Sequence, residues 1–189
     1  MPRMSFPQPE TLTTEQRRVY DKVVAGRRGK IVGPLRAALH SPELADRWQA
    51  LGEFLRYHTT LSPRQSELAI LVTGRACQSP FEWYAHVADG RRAGIEPAVI
   101  DALLAQRIPE GLSEDERLVV RVARELNQFN SIGDATYAEA MAHFDERTLV
   151  ELTALVGYYT MVAMTLNAHE IPLPEGEQPA FDLPQKAMP

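Results

Sequence analysis

The chain is poor in cysteine: its 189 residues contain one, Cys77. A single thiol excludes an intramolecular disulfide and a dithiol redox cycle within one subunit, and it suits a reducing compartment. A basic excess is also absent. Twenty Lys and Arg stand against 25 Asp and Glu, a formal net charge of −5. Such a chain has no global field to recruit nucleic acid or an anionic membrane, so neither is an expected partner. The clusters Arg17-Arg18 and Arg27-Arg28-Lys30 read as solvated surface. Long hydrophobic runs are missing. The uncharged stretch from Leu152 to Ala168 falls short of the roughly 18–20 residues that cross a bilayer. It also includes Thr153, Gly157, Thr160, Thr165 and Asn167, so it reads as a buried helix of a soluble protein. Met1 to Pro7 lacks the apolar core of a signal peptide, which places the expected location in the cytoplasm. Glycine-rich phosphate loops and a nucleophile elbow are absent. None of the five histidines, His40, His58, His86, His143 and His169, lies three or four residues from another, so no local metal site is expected.

What is present is helical. An apolar fraction of 44% and a charged fraction of 24% fit one globular unit. The first ten residues hold three prolines and read as an extended arm, 1–10. Thr14 to about Ala25 is amphipathic and stops at Gly26 and Gly29. Ser41-Pro42-Glu43-Leu44 opens a helix with an N-cap serine and proline at its first position. Leu44, Trp48, Leu51 and Leu55 form its expected buried stripe. Ser62-Pro63-Arg64-Gln65 is a capping box. Ser79-Pro80-Phe81-Glu82 and Ser113-Glu114-Asp115-Glu116 repeat the start signal, and Gly94 suits a helix end. Asp145 caps a last long helix whose seam, Leu149, Leu152, Val156, Tyr159, Ala163 and Leu166, wants a partner helix. No alternating strand pattern occurs, so the class is all-α: a single helical domain over 11–170, then a Pro-rich arm over 171–189. That arm is either a disordered tail or a segment lying on a neighbouring subunit.

One constellation can carry chemistry. His86 follows Glu82 by four residues, so both project from one helix face. Glu67 lies on the preceding helix. An antiparallel pair joined at Cys77-Gln78 brings it opposite His86, and Gly74 allows close approach. An imidazole between two carboxylates in an apolar setting is the raw material of a general acid–base. A structural reading stands beside it. Glu82 completes a capping box with Ser79, Glu67 pairs with Arg64 or Arg75, and His86 is a satisfied core histidine.

The runs Glu67-Leu68-Ala69-Ile70-Leu71-Val72-Thr73-Gly74-Arg75, Phe81-Glu82-Trp83-Tyr84-Ala85-His86 and Ala93-Gly94-Ile95 resemble the carboxymuconolactone decarboxylase family, which shares its fold with alkylhydroperoxidase D-like proteins. The likeness extends from about Gly33 to Pro174. Redox members carry glutamate, eleven residues, Cys-x-x-Cys, three residues, histidine. The register holds here from Glu67 to His86, but Ser79 and Glu82 stand where the two cysteines would be. The resemblance is therefore to a non-redox branch. It implies an alkylhydroperoxidase D-like helical bundle and cofactor-free decarboxylation of a small carboxylated lactone. It further implies catalytic roles for Glu67, Glu82 and His86, with Trp83 walling the substrate pocket. It also implies a homo-oligomer, trimer or hexamer. Two other readings remain open at this point: a thiol-dependent, peroxidase-like antioxidant protein acting through Cys77 and an external thiol, and a non-catalytic oligomeric helical protein.

Overall fold

The computed structural model describes residues 2–182, and among them the fold is all-α. The helices are α1 (Thr14–Ala25), α2 (Pro34–Ala38), α3 (Pro42–Tyr57), α4 (Pro63–Ala76), α5 (Pro80–Arg92), α6 (Pro97–Leu104), α7 (Glu114–Phe129), α8 (Asp134–His143) and α9 (Glu146–Ala168). Local chemistry explains several starts. The Ser62 hydroxyl accepts from the Gln65 amide while the Gln65 side chain accepts from the Ser62 amide, and Ser113 and Glu116 repeat the exchange. Asp145 accepts from the Thr148 amide at the head of α9. Ser41 and Ser79 precede their helices but make no side-chain cap, contrary to the sequence expectation. Pro42 and Pro80 suffice there, because proline presets the first helical φ and has no amide to leave unpaired.

α4 is the axis of the molecule. Every residue from Ser66 to Gly74 is buried, as an all-round contact with α5, α7 and α9 requires. Leu68 and Leu71 are fully enclosed, and burying each contributes about 1.5–3 kcal/mol. α7 adds Leu118, Val119, Val122 and Ala123 to the same core. The expected seam of α9 is all buried, and its partners are α4 and α7 of the same chain. α9 is longer than the uncharged stretch alone suggests. Its 23 residues are long and apolar enough to cross a membrane, but over half of its apolar stretch is packed inside the fold, as in a core helix.

The stripe expected on α3 is rotated. Trp48 and Leu55 are buried, whereas Leu44 and Leu51 are about half exposed. The buried face runs instead through Ala45, Trp48, Gln49, Gly52 and Leu55, because small residues let α3 lie close to its neighbours.

Both arms lie on their own chain over the described residues. The Arg3 amide donates to the His169 carbonyl at 3.0 Å, and Phe6 sits under the Arg36 guanidinium. In the C-terminal arm Ile171 is buried, and Phe181 packs edge-on against Trp83 and beneath Arg75. The last part of that arm, 183–189, lies outside the described residues.

Candidate active site

α4 and α5 form an antiparallel hairpin closed by Cys77, Gln78 and Ser79, with Gln78 in the left-handed region at φ 51°. Gly74 makes the crossing tight. A Cβ there would stand 3.2 Å from the Glu82 Cβ and 3.6 Å from the Trp83 amide nitrogen. That approach sets Glu67 of α4 against His86 of α5: Nδ1 of His86 donates to Oε2 of Glu67 at 2.7 Å. The Oε2 of Glu82 lies 3.5 Å from the other ring nitrogen, Nε2, without a well-directed hydrogen bond. All three side chains are buried. Tyr159 of α9 stands edge-on to the imidazole at 4.9 Å and fixes the ring plane.

Two of the contacts in the structural reading do not form, while His86 is buried and bonded to Glu67. Glu82 does not cap its helix. Arg64 is occupied by Glu96 and Glu116, and Arg75 donates to the Leu104 carbonyl, so neither takes Glu67. Ser79, at the first motif-cysteine position, is fully buried with an unpartnered hydroxyl.

Burial pushes the Glu82 carboxyl above its ordinary value, with His86 and Arg56 opposing the shift. Glu82 is thereby biased toward its neutral, proton-bearing form. The Tyr159 hydroxyl is raised well above its usual range by burial and stays protonated.

His86 is not sealed off. Together with Glu67, Glu82, Trp83 and Tyr159 it lines a cavity of about 1120 Å³, whose lining also includes Arg27, Arg28, Lys30 and Arg56. Trp83 belongs to that wall, though it is almost wholly covered and its ring is backed by Phe181. Arg28 corrects the reading of the Arg27-Arg28-Lys30 cluster as plain solvated surface, because its guanidinium reaches inward. Asp89 was also missed, although its spacing of three residues from His86 on the same helix is readable in the sequence. Arg56 carries no local sequence signal, and Tyr159 reads only as part of the buried seam of α9, since both arrive at the site from distant helices.

Donor atoms of Glu67, His86 and Asp89 all lie within 4.8 Å of one another, close enough to approach one cation. Asp89 is already engaged by Arg56 and Arg92, and His86 Nδ1 by Glu67, so a metal would have to displace existing partners. Cys77 does not line this cavity. It lines a second cavity of about 610 Å³ beside the C-terminal arm, its thiol contacts Asn127 Oδ1 at 3.6 Å, and burial pushes its pKa up.

Residues 42–125 match the carboxymuconolactone decarboxylase family. No curated protein matches the sequence. Several solved structures share the fold. An uncharacterized peroxidase-related protein from Silicibacter sp. TM1040 superposes with a TM-score of 0.76 at 18% identity, over 89% of this chain and 90% of that one. An uncharacterized peroxidase-related protein from Ralstonia eutropha JMP134, described as an alkylhydroperoxidase AhpD core, gives 0.77 at 17% identity, over 90% and 91%. The debrominase Bmp8, as a cysteine-to-alanine variant in complex with 2,3,4-tribromopyrrole, gives 0.71 at 11% identity, over 87% and 88%. The chain thus carries a segment that matches the carboxymuconolactone decarboxylase family, set in a helical fold shared with AhpD-like proteins.

Proposed function

We propose that the protein is a cofactor-free carboxy-lyase acting in the cytoplasm on a small carboxylated lactone or related carbonyl compound, with Glu67, Glu82 and His86 as its acid–base group. One observation carries the reading: a buried imidazole bonded to Glu67 on one nitrogen and facing Glu82 with the other, on the wall of a cavity that admits a small organic acid.

The chemistry follows from the geometry. Loss of CO2 breaks the bond between the carboxylate carbon and the ring, and its electron pair passes into the conjugated lactone as a dienolate. That dienolate then needs one proton on carbon. His86 Nε2 delivers it, because Nδ1 is committed to Glu67. Glu67 fixes the ring and stabilises positive charge on it, as an orienting carboxylate does. Glu82, biased toward its protonated form, resupplies Nε2. A positioned general acid of this kind contributes about 10²–10⁴-fold in rate. Glu82 is not assigned a repulsive role against the substrate carboxylate, since repulsion requires the ionised form that burial disfavours. Trp83 closes the apolar side of the pocket.

A homo-oligomer, trimer or hexamer, remains part of the proposal, and the exposed apolar residues Val150, Met161 and Met164 of α9 give it a surface that light scattering can test. The activity is tested by incubating the protein with a panel of carboxylated butenolides and measuring released CO2. Enzyme-dependent release supports the reading, and silence across the panel contradicts it.

A further inference from the structure

Of the arginines that line the cavity, Arg56 and Arg28 act on Glu82, and they differ in what they are paired with. Arg56 of α3 is committed, its Nη2 donating to Asp89 Oδ2 at 2.7 Å. Arg28, from the loop between α1 and α2, pairs with no carboxylate among the described residues. Its Nε and Nη2 are shielded from solvent and make no well-formed hydrogen bond, and the polar group beside the head group is the neutral Tyr158 hydroxyl, which leaves its charge unpaired.

The fold makes room for this head group. Gly52 is buried in α3, and a Cβ there would overlap the Tyr158 hydroxyl and stand 2.5 Å from Arg28 Nη2. Any side chain at 52 would evict the guanidinium or the tyrosine. Nε and Nη2 are also the two nitrogens whose N–H bonds run parallel along one edge of the guanidinium, the edge that grips a carboxylate with two bonds. A cation held with those donors unmet costs free energy that an anionic ligand offsets. Its charge reaches the reacting end of the cavity, since Arg28 is among the groups that act on Glu82.

We propose that Arg28 is the anchoring residue of this cavity, binding a carboxylate of a small organic acid while the rest of that molecule extends toward His86 and Glu82. This rests on the acid–base reading above and adds the recognition group to it. The anchored carboxylate is retained in the product, because a two-point ion pair stabilises the carboxylate and opposes its loss as neutral CO2.

Calorimetric titration at pH 7 tests the assignment. The probes are a butenolide bearing one acetate arm and the methyl ester of the same compound. Wild type binds the acid at least tenfold more tightly than the ester. Arg28→Gln lowers acid affinity tenfold or more and leaves ester affinity within twofold. Gly52→Ala, which crowds both Arg28 Nη2 and the Tyr158 hydroxyl, also lowers acid affinity while keeping the charge. Arg91→Gln, on the wall of the same cavity, changes acid affinity less than threefold. The thermal midpoint of Arg28→Gln equals or exceeds that of wild type, since the substitution removes a cation with unmet donors. Equal binding of acid and ester by wild type, no saturable binding of either, or an acid preference that survives Arg28→Gln overturns the proposal. So does a lowered midpoint accompanying the lost binding, which would mark Arg28 as structural. His86→Gln keeps the acid preference, so a failure of the acid–base reading leaves this result standing.

Discussion

Nδ1 of His86 and Oε2 of Glu67 meet at 2.7 Å across the α4–α5 crossing, and that bond leaves the other ring nitrogen, Nε2, to face Glu82. Glu67→Gln keeps the shape but removes the carboxylate that orients the ring. The expected loss in kcat is about 10²–10³-fold with KM little changed, as for other orienting carboxylates. Steady-state kinetics on the active butenolide checks it, and a loss confined to KM would place Glu67 in binding instead.

The pH dependence of stability turns on Glu82. Its folded pKa is raised above the ordinary glutamate value of 4.5, so the folded state holds a proton that the unfolded state has released. That contribution is complete below the unfolded value and is lost as pH rises through the folded one. Wild type therefore becomes less stable as pH climbs above about 4.5 through that window. Glu82→Gln flattens this slope and is the more stable of the two at alkaline pH. Urea titrations across the window check it, and parallel slopes for both proteins would contradict it.

Cys77 is expected to be a bystander. Its thiol is held in the protonated form by burial, and it lies in a different cavity from His86. Cys77→Ser should retain turnover within twofold, with slow labelling of wild type by a thiol reagent at neutral pH. A tenfold loss would install the thiol-dependent reading in place of the lyase.

The docking of α1 on α3 depends on Asp46, whose carboxylate pairs with Lys22 at 2.6 Å and Arg18 at 3.1 Å. The Lys22 bond, then the Arg18 bond, lower the Asp46 pKa from 3.8 to about 2. The stability it confers is present above the unfolded value and lost as pH falls through about 2. Both cations are more than half exposed, so screening reduces the gain to about 1 kcal/mol. Asp46→Asn should lose that amount at pH 7 and less in high salt, read from chemical denaturation.

Much of this was legible in the sequence where local chemistry decides the outcome. Ser62 with Gln65, Ser113 with Glu116, and Asp145 mark helix starts because a cap is satisfied within four residues. Glu82 and His86 were readable as one helix face, and Gly74 as the place of a close crossing. The short helices α2, α6 and α8 were not identified, since none has a side-chain cap and packing rather than propensity holds them. The buried face of α3 was misplaced because Ala45 and Gly52 give no hydrophobic signal, yet they are what permits close packing. Arg28 was set down as surface for a similar reason. Its niche is made by Gly52 and Tyr158, residues remote in the chain, and no local pattern shows that they meet.

The most direct test of the account compares wild type and His86→Gln for CO2 release from the carboxylated butenolide that wild type turns over, with matched folding and oligomeric state. The account predicts a fall in kcat of about 10³-fold or more. Release by His86→Gln within threefold of wild type would contradict it.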